Sequence, residues 1–427
     1  MISSKAIVIL AGGESKRMAF NKEYIHDRKE YLVHRNIKYL SEYYDEVIVI
    51  SNNPEFYLNL PCKVYQDEEQ GLGPIEGLRV ALSNMKADKA FLLAVDMPNV
   101  DKNFIEYIGN LKGDIVSLRV EGVIEPFNAI YSKTVLHKIS EYKSLYTLIK
   151  GVNTTVLDYD SLKSDFKQLN LYRNINTPEN LREYLSMTEV SITRNDENIK
   201  DHVVRESIIN IFVNKKKLIS VLATPTDLKE FAYGYITSNG YTSIENILDV
   251  SVRGNNIYIL LGKEIDSFEK DKLLSSACGD IKKYHQRLDE IDISLLDDIF
   301  IKSVDIKRIT QELAQCSDVF FKTGGVHSAM ILGESRYFAE DIGRHNAVDK
   351  VIGKSIINSD KPVVLASSGR LSSDMVLKAV FTKISIVISR SAPTSMAIEI
   401  ANRFGITLIG FSRQDKFNIY TNSFRVQ

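Results

Sequence analysis

At 427 residues, of which 44% are hydrophobic and 26% charged, the chain is long enough for two or three domains with cores of their own. A formal net charge of -1 leaves no pool of uncompensated Lys and Arg, which excludes a dedicated nucleic-acid surface. Three widely spaced cysteines, Cys62, Cys278 and Cys316, offer neither a disulfide framework nor a zinc knuckle, and no apolar run reaches the ~20 residues that span a bilayer. A reducing cytoplasm is expected, with no membrane and no nucleic acid as partner.

In the first half, Ala6 to Leu10, Glu46 to Ser51, Lys63 to Tyr65, Lys89 to Val95 and Asp114 to Val120 are short apolar runs that read as strands. Between them, Ile75, Leu78, Leu82 and Met85 recur at helical spacing after Pro74. The alternation predicts an α/β domain, a parallel sheet with helices on both faces, whose ligands bind beyond the carboxyl ends of the strands. Polar residues collect at those ends. Gly12 and Gly13 follow the first strand, with Ser15, Lys16, Arg17 and Lys22 beyond them. Ser51, Asn52 and Asn53 follow the second strand, Asp67 the third and Asp96 the fourth. A glycine turn with basic residues suits phosphate, although such turns also simply join a strand to a helix. A carboxylate leaving a buried strand suits Mg2+ beside phosphates, and Asp96 ahead of Pro98 serves equally as a turn residue or helix cap.

Together these pieces resemble a known family. Leu10-Ala11-Gly12-Gly13-Glu14-Ser15-Lys16-Arg17-Met18 with Lys22, Gly73-Pro74-Ile75-Glu76-Gly77, Val95-Asp96-Met97-Pro98 and Asn174-Ile175-Asn176-Thr177-Pro178 look like the molybdenum cofactor guanylyltransferases. The resemblance implies a Rossmann-like nucleotidyltransferase domain that moves GMP from GTP to molybdopterin and releases pyrophosphate. On that likeness Leu10, Ala11 and Gly12 would line the nucleotide, Lys22 would contact its phosphates, Ser51 and Asp67 would lie around the guanosine, and Asp96 would hold Mg2+. No protein nucleophile is needed, because the acceptor phosphate is itself the nucleophile.

Thr177 and Pro178 read as the entry of a helix carrying Leu181 and Leu185. Ser186 to Glu206 is polar, with one short strand expected over Glu189 to Thr193, so two domains are expected at residues 1–185 and 186–427. Beyond it, Asn214-Lys215 and Gly254-Asn255-Asn256 sit between apolar runs as hairpin turns, and a helix is expected to start at Thr226. Pro362 to Ala366, Ile384 to Ile388 and Ile406 to Phe411 read as strands, separated by helices opening at Ser372 and Pro393. The loops after them hold Arg370, Arg390, Arg413 and Lys416, a candidate cradle for a polyanion as much as ordinary surface charge. Lys322 to Ser328 and Glu340 to Asn346 gather two His, two acids and an Arg in glycine-interrupted turns. A Ser, His, Asp set is conceivable there, without a nucleophile elbow. Cys278 lies among small residues with Lys272, Lys282 and Lys283 nearby, an environment that favours a reactive thiolate as readily as the position suits a buried inert thiol.

This half resembles a second family. Ser275-Ser276-Ala277-Cys278-Gly279, Thr323-Gly324-Gly325-Val326-His327-Ser328, Glu340-Asp341-Ile342-Gly343-Arg344-His345-Asn346 and Ser391-Ala392-Pro393-Thr394-Ser395 are similar to the formate dehydrogenase accessory sulfurtransferases. The resemblance implies an α/β cytidine-deaminase-like core without its zinc, with an added β-hairpin region. It implies that Cys278 carries a persulfide received from a cysteine desulfurase. Phe411, Ser412, Arg413, Gln414, Asp415 and Lys416 would bind the bis-molybdopterin guanine dinucleotide cofactor, and a formate dehydrogenase would be the protein served. The family usually shows Cys-x-x-Cys, and here Ile281 stands at the second position. A carrier that only holds and hands over the cofactor is the other reading of this half.

Overall fold

The computed structural model describes residues 5–12, 17–18, 20–69, 71–167, 169–263, 299–413 and 416–427. The chain divides into two compact units, Met1–Tyr184 and Leu185–Gln427.

In the first unit, β1 (Lys5–Leu10), β2 (Val47–Ile50), β3 (Lys63–Tyr65), β4 (Lys89–Ala94), β5 (Ile115–Val120), β6 (Val123–Ser132) and β7 (Thr154–Asp158) form one sheet in the order β3-β2-β1-β4-β6-β5-β7. Strand β1 pairs in parallel on both sides, and its last residue, Leu10, lies opposite Ile50 and Ala94. Three strand ends therefore finish side by side. Because side chains alternate along a strand, Ile7 and Ile9 pack with the helices Leu32–Ser41 and Lys102–Gly109. Ala6, Val8 and Leu10 pack on the other face with the helix Pro74–Asn84. The sheet is not wholly parallel, as the alternation had suggested: β6 runs antiparallel between β4 and β5. Glu121 and Gly122 both take positive φ, 48° and 83°, the geometry of a tight hairpin turn that reverses the chain between β5 and β6.

Among the described residues the second unit holds three sheets. The polar stretch after residue 186 is a two-stranded hairpin, β8 (Met187–Arg194) and β9 (Glu197–Val204), turned by Asn195 and Asp196 at positive φ, where one short strand was expected. Next come β10 (Ser207–Val213), β11 (Lys216–Ala223), β12 (Ile247–Arg253) and β13 (Asn256–Leu261), ordered β11-β10-β13-β12. Their buried face packs with Leu228, Phe231, Ala232 and Ile236 of the helix Leu228–Ser238. That helix begins after Asp227, whose left-handed φ of 51° places the cap one residue beyond the expected Thr226.

The third sheet runs β15-β14-β16-β17-β18-β19, from β14 (His327–Leu332), β15 (Arg336–Asp341), β16 (Val364–Ser367), β17 (Ile386–Ser389), β18 (Thr407–Arg413) and β19 (Lys416–Ile419). Strands β16, β17 and β18 are parallel. The helix Ser303–Gln315 covers one face through Ile306, Ile309 and Leu313. The helices Arg344–Ile357, Ser373–Phe381 and Ser395–Arg403 cover the other. Helices Leu228–Ser238 and Arg344–Ile357 touch backbone to backbone at Gly234 and Gly353. A Cβ on Gly234 would sit 1.7 Å from Asp349 O, so only glycine admits this crossing. Among the described residues no helix is long and apolar enough to cross a membrane.

Candidate functional site

A cleft lies at the carboxyl edge of the seven-stranded sheet of the first unit, and another at the edge of the six-stranded sheet of the second. In the first, a cleft of about 360 Å³ is lined by Leu10, Ala11 and Gly12 after β1, by Val95 and Asp96 after β4, and by Lys22. Lys22 opens a short 3-10 turn, Lys22–Tyr24, whose cap residue Asn21 accepts the Glu23 N–H. From there its ammonium reaches Asp96 Oδ2 at 2.5 Å and Asn176 Oδ1 at 2.5 Å. Asp96 is 7% exposed, and the chain after it is tied down by Ile175 N–H donating to Asp96 O at 2.9 Å. A cation and a carboxylate thus face one volume from two loops.

The glycine turn contributes differently from what was expected. Ala11 and Gly12 give their N–H groups to Ile50 O, at 2.9 and 3.1 Å, so these two amides bind the sheet and leave none for phosphate. Residues 13–16 lie outside the described residues, and Arg17 is exposed and away from the cleft lining. Gly12 and Asp67 approach closely: a Cβ on Gly12 would stand 3.3 Å from Asp67 Oδ2, a tight contact that asks the carboxylate to shift slightly. Burial, with the neighbouring Glu76 charge, pushes the Asp67 carboxyl above its usual range. Ser51 stands at the strand end but does not line the cleft. Its hydroxyl donates to buried Glu23 Oε1 at 2.9 Å and accepts from Asn53 N–H at 3.0 Å. Burial in turn raises the Glu23 pKa.

Glu125, Pro126, Phe127, Asn174 and Asn176 also line the cleft, and none was assigned a role from its residue type alone. The signal was present in Glu125-Pro126, an acid and an imino acid interrupting the apolar run of β6.

In the second unit a cleft of about 360 Å³ lies between the β14, β16 and β18 ends and the turn after Thr323. Arg390 and Arg413 both line it, and Arg413 Nε donates to Arg390 O at 2.8 Å. Among the described residues no carboxylate lines this cleft, so the two guanidiniums face it without a competing acid. His327 and Ser368 add polar atoms: Ser368 Oγ accepts from Ser328 N–H at 3.0 Å and lies 3.3 Å from His327 Nδ1. Burial, then the Arg344 charge, lowers the His327 pKa, so the imidazole is neutral near pH 7.

The expected binding run Phe411 to Lys416 divides. Arg413 reaches the cleft, whereas Ser412 is buried with its hydroxyl 2.6 Å from Thr310 Oγ1, on the side of the helix Ser303–Gln315. Phe411 is 45% exposed and takes a left-handed φ of 50°, at the point where the β18–β19 register shifts. Lys416 is exposed and does not line the cleft, nor does Arg370. Gln414, Asp415 and Cys278 lie outside the described residues.

The acids and histidines of the 322–346 stretch form no Ser, His, Asp relay. His327 and Asp341 are cross-strand partners in the β14–β15 register. The Asp341 carboxylate nevertheless points into the core, where Oδ2 takes Thr224 N–H at 3.0 Å and Lys350 Nζ at 2.6 Å. Its Oδ1 takes Gly343 N–H and Asn346 Nδ2, each at 2.9 Å. Asp341 is a fully bonded structural anchor of the turn that starts the helix Arg344–Ile357.

Two family models match this chain. The FdhD/NarQ family covers residues 204–427, and the MobA-like NTP transferase domain covers residues 7–154. The sulfur carrier protein FdhD of Wolinella succinogenes is 37% identical over 53% of this chain and 83% of its own length. The protein of the same name from Sulfurisphaera tokodaii is 34% identical over 48% of this chain and 83% of its own. Among solved structures, molybdopterin-guanine dinucleotide biosynthesis protein A from Archaeoglobus fulgidus aligns at 19% identity and a TM-score of 0.38. That alignment covers 42% of this chain and 96% of that one.

Proposed function

Since the chain belongs to the FdhD/NarQ family by residues 204–427 and carries a MobA-like NTP transferase domain at residues 7–154, we propose that it matures a molybdenum cofactor for formate dehydrogenase at two sites. The first unit transfers GMP from GTP to molybdopterin. The second binds the guanine dinucleotide product and carries sulfur for it; its relatives are named sulfur carrier proteins.

The observation that carries the first half is Lys22 held between Asp96 and Asn176 in the cleft beside Leu10 to Gly12. Nucleotidyl transfer asks a protein for charge neutralisation and alignment. A phosphate oxygen of molybdopterin attacks the α-phosphorus of GTP, a P–O bond forms, the α–β bridging bond breaks, and pyrophosphate leaves with the electron pair. Lys22 would turn from Asp96 to the phosphate oxygens. Asp96 suits Mg2+, which takes one or two carboxylates with phosphate and water oxygens and would neutralise the leaving pyrophosphate. Asn176 would keep the ammonium in place through the exchange.

For the second half, Arg390 and Arg413 supply charge for the phosphates of the dinucleotide product. Cys278 is the proposed sulfur carrier. Its thiolate would take the outer sulfur of a cysteine desulfurase persulfide, forming a Cys278 persulfide and freeing the desulfurase thiolate.

The test is incubation of the full chain with GTP, Mg2+ and molybdopterin, followed by mass analysis of the pterin. Guanylated product that disappears with Asp96→Ala is expected; its absence with the wild type overturns the transferase reading. Exposure to a cysteine desulfurase should add one sulfur to the wild type and none to Cys278→Ala. If formate dehydrogenase still matures with Cys278→Ala, the second unit is a cofactor carrier alone.

A further inference from the structure

The cleft of the first unit has two flanks. On one side of Asp96 stand Leu10, Ala11 and Gly12 at the end of β1, and on the other stands β6, as the order β1-β4-β6 dictates. Strand β6 is antiparallel to β4, so it begins at the edge where β4 ends. The β4–β6 ladder closes at Leu92 and Ala129. There Asn128 takes a left-handed φ of 49° and donates its side-chain N–H to Leu171 O. Before that kink, Pro126 has no N–H to offer a neighbouring strand. The two strands part, and Glu125 and Phe127, two residues apart, both line the opening.

Glu125 is half-buried and pairs with Leu118 in the β5–β6 ladder; its main-chain oxygen accepts from Ser117 Oγ, and among the described residues its carboxylate makes no hydrogen bond. Burial alone pushes its pKa up. A desolvated carboxylate beside an aromatic ring, with its acceptor positions unused, is built for a flat ligand that brings donors. On the guanylyltransferase reading, Lys22 holds the nucleotide phosphates on the other side of Asp96, and the β6 flank is left for the acceptor.

We propose that Glu125 selects the acceptor: its two carboxylate oxygens receive the ring N–H and the exocyclic NH2 of a 2-amino-4-oxopyrimidine edge, with the pterin plane against Phe127. The assignment rests on the guanylyltransferase reading of this cleft. Guanine carries the same edge, and the experiment separates the two sources. A ligand with the 2-amino group is held by two charge-assisted bonds, whereas a 2-oxo analogue turns a carbonyl lone pair toward the carboxylate.

The experiment uses the full chain and Glu125→Gln, which keeps the volume and loses the charge. The KM for molybdopterin should rise at least tenfold while GTP affinity, measured by equilibrium binding, stays within twofold. Retained GTP affinity also certifies that the variant cleft is folded. An unchanged acceptor KM overturns the proposal, and so does a loss confined to GTP affinity, which would assign Glu125 to guanine. A second measurement needs no turnover: binding of pterin and of lumazine, its 2-oxo analogue, followed by ligand fluorescence. The wild type should prefer pterin about tenfold and Glu125→Gln should not; equal binding of the two by the wild type overturns the proposal. Phe127→Leu should weaken both ligands together. A wild type that discriminates pterin from lumazine yet transfers no GMP would sink the transferase reading and leave Glu125 as a pterin-selecting residue.

Discussion

Lys22 Nζ stands 2.5 Å from Asp96 Oδ2 across 74 residues of sequence, an ion pair that joins the turn after β1 to the end of β4. The Asp96 side chain is nearly buried and that of Lys22 about a quarter exposed, so solvent reaches the pair mainly at the lysine. If the cleft transfers GMP as proposed, Lys22→Met should lower the transfer rate by about 10² to 10³, the usual loss when one charge stabiliser of a reacting group is removed. Single-turnover assays at saturating GTP separate this from weakened binding. An unaltered rate would mean that Lys22 serves only to neutralise Asp96.

In the second unit, Asp341 and Lys350 form a fully buried pair 2.6 Å apart, and every oxygen of Asp341 is bonded. Removing one partner strands the other charge in the core. Lys350→Met is therefore expected to cost about 3–5 kcal/mol, with Asp341→Asn at the lower end because an amide still accepts from Thr224 or Gly343. Denaturant midpoints of the full chain check the order. Equal, small losses would show that water reaches the site.

These two pairs also mark what the sequence could reveal. The placement of Gly12 and Asp96 in the cleft was legible because residues at the carboxyl ends of neighbouring strands converge whatever the loops do, whereas Asp67 comes close to Gly12 without lining the cleft. Antiparallel β6 was not, since Glu125, Pro126 and Asn128 break its apolar pattern, and those breaks are what shape the cleft. The stretch 340–346 read as a turn with catalytic residue types. Only the packing of Lys350, from the next helix, shows that Asp341 is spent on structure. Likewise Ser51 and Ser412 have the right positions for ligand contact, but buried partners, Glu23 and Thr310, take their hydroxyls. Local pattern fixes where a side chain starts; the competitor for its hydrogen bond comes from elsewhere in the chain.

The helix crossing at Gly234 and Gly353 gives a purely steric prediction. A methyl at either position meets backbone, Asp349 O at 1.7 Å or Glu230 O at 1.8 Å, and backbone in a helix cannot step aside as a side chain could. Gly234→Ala should destabilise the second unit by about 3 kcal/mol or more, despite alanine's better helix propensity. A thermal melt that shifts upward instead would show that the two helices can separate at no cost.

His345 supplies a pH dependence. Burial first, then the charges of Lys378, Arg344 and His327, lower its pKa from 6.5 to about 3. In the unfolded chain the imidazole takes a proton below about pH 6.5, and in the fold it does not until about pH 3. Its stabilising contribution is therefore complete above pH 6.5 and is lost as the pH falls toward 3, at up to about 1.4 kcal/mol per pH unit. Buried Asp349, whose pKa is raised mainly by desolvation, acts with the opposite sign, so the comparison must be between variants at the same pH. Between pH 6.5 and 5 the wild type should lose about 2 kcal/mol more than His345→Gln, which carries no titrating group there. Urea midpoints at both pH values measure this, and parallel losses in the two proteins would mean that His345 titrates normally in the fold.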